Sequence, residues 1–230
     1  LGRRFHAEVG CRVRHDGLQA HPARAWGPPL VFGRLWEQQG VPEILARLAR
    51  GRRFGFDLER ACFALALQRL CAPGSDLQGV GWLRTVECPG VDALDLHHLY
   101  RTVGGFLAAG RAELERELFF RNRDRFAQTL DLVFIDTTST FVWRTEESAL
   151  RRRGYSRDRR PDQPQVVICL AVDRHGWPIA WDILPGNTDD RSAFTRMIET
   201  LRGRFQIGRV IVVADRGMIS QKVLALLTGD

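Results

Sequence analysis

Two aspartates in this 230-residue chain stand where apolar runs stop: Asp136 after Leu132-Val133-Phe134-Ile135, and Asp215 after Val210-Ile211-Val212-Val213-Ala214. A carboxylate at the carboxyl end of a buried strand lies where α/β sheets form their ligand crevices. If the two strands are neighbours, the carboxylates converge, and two close anions require a counter-charge. Mg²⁺ or Mn²⁺ provides it, because hard cations prefer carboxylate oxygen. Two such ions about 3.5–4 Å apart would activate a nucleophile and stabilise the leaving oxygen of an in-line phosphoryl displacement. The plainer alternative is turn chemistry, since Asp is a common strand terminator. Finding both aspartates on strands in this order favours the ion site.

A second group of residues suits a polyanion. Between Arg151 and Arg160 there are six arginines (Arg151, Arg152, Arg153, Arg157, Arg159, Arg160) against one acid, with Tyr155 and Ser156 among them. Guanidinium and hydroxyl donors match phosphate oxygens, and a tyrosine ring can stack on a base. A solvated polar loop is the alternative, weakened by the segment's place between a candidate catalytic strand and a buried one. The whole chain agrees in sign: net charge +7, almost all of the cation arginine, with Lys222 the only lysine. Such an excess favours nucleic acid as partner, although an arginine preference is also a mark of GC-rich coding.

Composition excludes other classes. At 44% hydrophobic and 27% charged residues the chain can bury a core, unlike a disordered tail. No charge-free window of about 18 residues could span a membrane, and the first residues carry no secretory pattern. The five cysteines (Cys11, Cys62, Cys71, Cys88, Cys169) form no C-x-x-C pair, so neither a zinc site nor a disulfide framework is expected. A reduced, cytoplasmic compartment fits. His97 and His98 are adjacent, which on a helix would point them about 100° apart.

The elements that must position the aspartates change character near residue 130. Before it the spacing is helical: 32–50 in two segments with Pro42 opening the second, 58–70 behind an Asp57 N-cap, a short helix to Trp82 after Pro73-Gly74-Ser75-Asp76, then 94–104 and 111–128. After it come a strand into Asp136, a long arginine-rich excursion, and Val166–Val172, seven apolar residues that suggest a strand covered on both faces. A turn at Asp173-Arg174-His175-Gly176 leads to a strand through Leu184. A helix capped by Asp189 or Asp190, a buried strand to Ala214, and a helix from Ser220 to Leu227 complete the order. The expected organisation is an irregular basic arm over 1–30, a helical DNA-binding or assembly module over 31–129, and an α/β module over 130–230.

Four segments carry a resemblance: Phe134-Ile135-Asp136-Thr137-Thr138-Ser139; Tyr155-Ser156-Arg157-Asp158-x-Arg160-Pro161-Asp162-x-x-Gln165-Val166; Leu184-Pro185-Gly186-Asn187-Thr188-x-Asp190; and Val213-Ala214-Asp215-Arg216-Gly217. In this order, with Leu70-Cys71-Ala72-Pro73-Gly74-Ser75 upstream, the chain resembles the DDE transposases of bacterial insertion sequences, in their insertion-sequence-four-like branch. The resemblance implies a ribonuclease H-like mixed sheet flanked by helices and preceded by an all-α module, with the first and fourth strands parallel neighbours. It implies DNA strand cleavage and strand transfer with Mg²⁺ or Mn²⁺, two ions in an intact enzyme. Asp136 and Asp215 would be the first two catalytic, metal-holding acids. The Arg151–Arg160 loop would grip double-stranded DNA at element ends and target. No small-molecule cofactor is expected, a homodimer is one assembly it allows, and a bacterial, nucleoid-associated setting follows.

One departure from the family concerns the third acid, a glutamate on a helix beyond the second aspartate. None of the fifteen residues after Asp215 is Glu, and Glu199 precedes it. The expectation is therefore a C-terminally truncated or decayed copy with little transposition of its own. The second hypothesis is a non-catalytic DNA-binding remnant or an inhibitor of the full enzyme. An aspartyl-phosphate phosphatase is disfavoured, because Thr138 stands where that chemistry wants a second acid.

Overall fold

The computed structural model describes residues 23–126, 132–205 and 211–219. The basic arm's first 22 residues, Cys11, Lys222 and the expected helix 220–227 lie outside them. The chain divides into two compact units, one of Leu1–Arg34 with Gly55–Tyr100 and the other of Leu35–Phe54 with Arg101–Asp230.

The first unit is built around α3 (Leu58–Cys71). Asp57 caps it as expected, its carboxylate accepting from the Arg60 amide at 3.0 Å. Leu58, Ala61, Cys62, Phe63, Leu65 and Leu67 are all buried, which is why no single apolar stripe exists. Ser75 opens α4 (Asp76–Leu83) with a capping box completed by Gln78. One expectation shifts: α1 (Gly27–Gln38) begins inside the supposed irregular arm. Pro28 and Pro29 occupy its first turn, where a missing N–H costs nothing.

In the second unit, α2 (Val41–Leu48) carries Pro42 at its start and packs on α6 (Ala108–Phe126), with Arg47 donating to Glu117 at 2.6 Å. The gap expected between the helices 94–104 and 111–128 is closed. Helix α5 (Leu96–Arg101) runs into a π-turn, Thr102–Leu107, and then directly into α6. The wider turn absorbs the irregularity without ending the helix.

The sheet of this unit comprises β1 (Leu132–Phe141), β2 (Gln165–Asp173), β3 (Pro178–Pro185) and β4 (Ile211–Val213), in the order β3-β2-β1-β4. β1 is antiparallel to β2 and parallel to β4, and β2 is antiparallel to β3. Helix α7 (Asp190–Phe205) covers one face: Phe194, Met197, Ile198, Leu201 and Phe205 pack with Val133, Ile135, Val167, Cys169 and Leu184. Each such side chain contributes about 2 kcal/mol of apolar burial. This is the mixed, helix-flanked α/β architecture expected, with the first and fourth strands parallel neighbours.

Two strand expectations are corrected. β1 does not stop at Asp136 but continues five residues to Phe141. Thr137 and Ser139 alternate inward while Thr138 and Thr140 face out, and β-branched threonines suit that pleat. The strands around it are not covered on both faces: among the described residues Leu170 is 39% exposed, Val213 43% and Ile211 67%. A continuous apolar run did not distinguish a doubly covered strand from one with an open side.

Candidate functional site

Asp136 lies mid-strand on β1, on the open face with Phe134 and Thr138. The last rung of the parallel pair joins Phe134 to Val213. Asp136 is two residues past it on one strand and Asp215 two residues past it on the other. Neighbouring strands run about 4.8 Å apart, so the two backbones leave that rung side by side. Burial alternates through Ile211, Val213 and Asp215, all exposed, which keeps Asp215 on the open face as well. β4 ends at Val213 whereas β1 continues.

Neither carboxylate is consumed by turn chemistry. Asp215 precedes the 3-10 turn Arg216–Met218 but makes no side-chain cap to it. Among the described residues Asp136 accepts from the adjacent Thr137 amide, at 2.7 Å. Their hard oxygen donors, on one face of neighbouring strands, fit a divalent cation such as Mg²⁺ or Mn²⁺. The fit is to two ligands: among the described residues no third carboxylate, histidine or cysteine groups with them.

A three-ligand group does occur elsewhere, in the first unit, at Asp95, His97 and His98. The histidine rings are 3.9 Å apart, closer than a 100° helical offset suggests. His98 Nδ1 accepts from the Asp95 amide at 3.0 Å, and its ring stacks on Phe56. That nitrogen is occupied by capping, so this group carries no metal assignment.

On the covered face of β1, next to Asp136, sits a polar network that the sequence reading missed. The buried Thr137 hydroxyl donates to Asp190 at 2.6 Å and accepts from Arg157 Nη2 at 2.9 Å. Arg157 also reaches Asp190 at 3.3 Å, and its backbone amide donates to Ser139 Oγ at 3.4 Å. Asp190 is thereby withdrawn from helix capping, which Asp189 performs instead. The signal was present in Thr137, an inward position on an alternating strand that required a partner.

Most of the arginine loop is likewise tied to protein. Arg152 and Arg153 pair with Glu147, and Arg151 bonds Ser148. Arg160 forks onto Asp162 while lying over Phe141 and Trp143. Ser156 Oγ accepts from the Arg160 amide. Tyr155, 87% exposed, projects from the loop. Arg159 also points to solvent, from a backbone at φ 57°. The buried Gln165 holds the loop down: its Nε2 donates to the carbonyls of Tyr155 (2.9 Å) and Gly186 (2.8 Å). Gly186 is needed for that approach, since a Cβ there would meet the Arg152 and Gln165 carbonyl oxygens at 2.2 Å. Two of the quoted segments are thus one structural unit.

Burial pushes the thiols of Cys169 and Cys62 up to about 12, so neither is a nucleophile at neutral pH.

The described part of this unit is a mixed α/β domain with Asp136 and Asp215 exposed on the same side of neighbouring strands. Residues 128–229 match the family described as "Transposase DDE domain". None of the curated proteins matches the chain significantly. Two solved structures share remote similarity. "Mos1 transposase paired-end complex with left transposon end" is 14% identical, with 99% of this chain and 69% of that one covered at a TM-score of 0.29. "Crystal structure of the mariner Mos1 paired end complex with Mg" is also 14% identical, with 87% and 65% covered at 0.28. Likeness at that level assigns neither fold nor function. Among the described residues no helix is long and apolar enough to cross a membrane.

Proposed function

We propose that the chain acts on DNA as an insertion-sequence transposase, with Asp136 and Asp215 as its metal-holding, catalytic acids. The observation that carries this reading is the parallel β1–β4 register, which sets the two aspartates level on one exposed face. A divalent cation bound there would lower the pKa of a bound water and stabilise charge on phosphate oxygens. The chain's own part is to hold one carboxylate on β1 and the other just past the end of β4, with the Thr137, Arg157 and Asp190 network on the opposite face of β1. Strand cleavage and transfer at element ends would follow from that arrangement.

Tyr155, Ser156, Arg157 and Arg159, with Arg151, Arg152, Arg153 and Arg160, border the DNA in this reading. Tyr155 and Arg159 make the first contacts, because the others hold protein partners. For Arg152, Arg153 and Arg160 those partners are surface ion pairs, worth about 0–1 kcal/mol each, so a phosphate can exchange with them. The setting that fits is the cytoplasm of a bacterial cell, at its nucleoid.

With two carboxylates and no third ligand grouped with them, the chain as it stands would cleave slowly. The same observation supports the second reading, a DNA-binding remnant or inhibitor without chemistry. Mn²⁺-dependent nicking of supercoiled plasmid decides between them. The proposal expects slow nicking that is abolished by Asp136→Asn and by Asp215→Asn. Nicking unchanged by either substitution, or none in the parent, contradicts it.

A further inference from the structure

One side chain of the arginine loop is held differently from its neighbours. Arg157 Nη2 alone donates to three oxygens on the covered side of β1: the Thr137 hydroxyl at 2.9 Å and the two Asp190 carboxylate oxygens at 3.3 and 3.4 Å. The Thr137 hydroxyl in turn donates to Asp190 Oδ1 at 2.6 Å. Thr137 is buried, so its hydroxyl is shielded from solvent, and breaking the set leaves a desolvated polar group unsatisfied. Arg152, Arg153 and Arg160 instead pair with Glu147 and Asp162 at the surface, where a phosphate can replace the acid. Three of the four quoted segments, those holding Thr137, Arg157 and Asp190, meet at this one point.

Thr137 also touches the open face. Its backbone amide donates to Asp136 Oδ1 at 2.7 Å. A single residue is therefore fixed by its hydroxyl on the covered side and fixes a carboxylate on the other. Threonine suits this joint, because its branched Cβ leaves few side-chain rotamers and ties the hydroxyl closely to the backbone. Two further ties hold the same stretch of β1. The Arg157 amide donates to Ser139 Oγ at 3.4 Å, and Asp190 begins α7, whose apolar side packs with Val133 and Ile135. Contacts thus run from loop and helix into Thr137, and through its amide to the Asp136 carboxylate. Hydrogen-bond partners behind a metal ligand set its orientation, and their loss weakens metal binding about 10–100-fold.

We propose that Arg157 is a positioning residue for Asp136, acting through Thr137 and Asp190, and not a phosphate-gripping arginine like its neighbours in the loop. Resting on the reading of Asp136 as a metal ligand, this role divides the loop's cations into those that exchange an acid for DNA and one that keeps the carboxylate aimed.

The test pairs Mn²⁺ binding, read by electron paramagnetic resonance, with binding of a labelled duplex oligonucleotide, read by fluorescence anisotropy in metal-free buffer across a salt series. Both use the full chain. The variants are Arg157→Ala, Arg157→Lys, Thr137→Val and Asp136→Asn, with circular dichroism establishing that each folds; Thr137→Val keeps the side chain's shape and serves should the alanine variant not fold. Arg157→Ala and Thr137→Val should each weaken Mn²⁺ binding about tenfold or more. Combining them should add little, because both break one network. Arg157→Lys should recover most of the Mn²⁺ affinity, since one nitrogen makes all three contacts and an ammonium can stand in its place. Duplex affinity and salt slope should stay close to the parent's in Arg157→Ala, whereas loss of a phosphate contact would flatten the slope by about 1. Parent-like Mn²⁺ binding in Arg157→Ala and Thr137→Val, with binding lost in Asp136→Asn, overturns the positioning role and leaves the transposase reading standing. A flattened slope with unchanged Mn²⁺ affinity makes Arg157 a phosphate contact and overturns it equally. Mn²⁺ binding unchanged by Asp136→Asn removes the metal site itself, and the positioning role with it.

Discussion

Asp136 and Asp215 stand the same two residues beyond the Phe134–Val213 rung of the parallel β1–β4 pair. The relationship depends on strand order and not on sequence distance. β2 and β3 lie on the far side of β1, so the chain returns to β1's other edge only after α7. Each acid therefore follows the last paired residue of its own strand by the same two positions.

The arginine loop depends on one close backbone approach. Gly186→Ala forces a methyl group onto two carbonyl oxygens and should cost about 3 kcal/mol by urea denaturation. Gly203 in α7 offers the opposite case, since a Cβ there meets nothing within 4 Å. Gly203→Ala should stabilise by about 0.5–1 kcal/mol through helix propensity. Equal effects of the two substitutions would contradict this account of the loop.

Gln165→Leu keeps the side chain's bulk but leaves the Tyr155 and Gly186 carbonyls without their donor. The expected loss is about 2–3 kcal/mol, accompanied by faster protease cutting between residues 148 and 160. Protease resistance equal to the parent's would show that the loop is held by other means.

The sequence reading placed β1 to β4, α3, α4 and α7 close to where they lie, because caps and apolar runs are local signals. Asp57, Ser75 and Pro42 each announced a helix start. Three features were not legible. The stretch between the expected helices 94–104 and 111–128 is a π-turn running into α6, since a bulge depends on the neighbours that pack around it. The run Val166–Val172 looked doubly covered, yet one face is open, because an apolar run carries no record of its partners. The arginine loop looked like a free cation patch. Pairing with Glu147, Asp162 and Asp190 is set by loop conformation, which composition does not encode.

Asp189 caps α7 through the Arg191 and Ser192 amides and the Ser192 hydroxyl, and these hydrogen bonds, the Ser192 hydroxyl first, hold its carboxyl below the usual range. A depressed folded pKa gives stability that is present above the unfolded value, about 3.9, and is lost as pH falls through the folded one. Asp189→Ala should cost about 1 kcal/mol at pH 7. That difference from the parent should shrink as pH is lowered beneath about 4. A constant difference across the range would show that the cap acts through shape and not charge.

Cys62, Cys88 and Cys169 are buried, and burial raises all three thiols. At pH 8 a maleimide should label them only after denaturant is added, with mass spectrometry reading the sites. Labelling of Cys169 in the native protein as fast as in urea would place the α7–sheet core in doubt.

The central claim is that Asp136 and Asp215 share a divalent cation, and Mn²⁺ binding read by electron paramagnetic resonance tests it without requiring turnover. The parent chain should bind Mn²⁺, and Asp136→Asn or Asp215→Asn should each weaken that binding at least tenfold, with the double variant no worse than about either single one. Parent-like binding in both single variants would contradict the account.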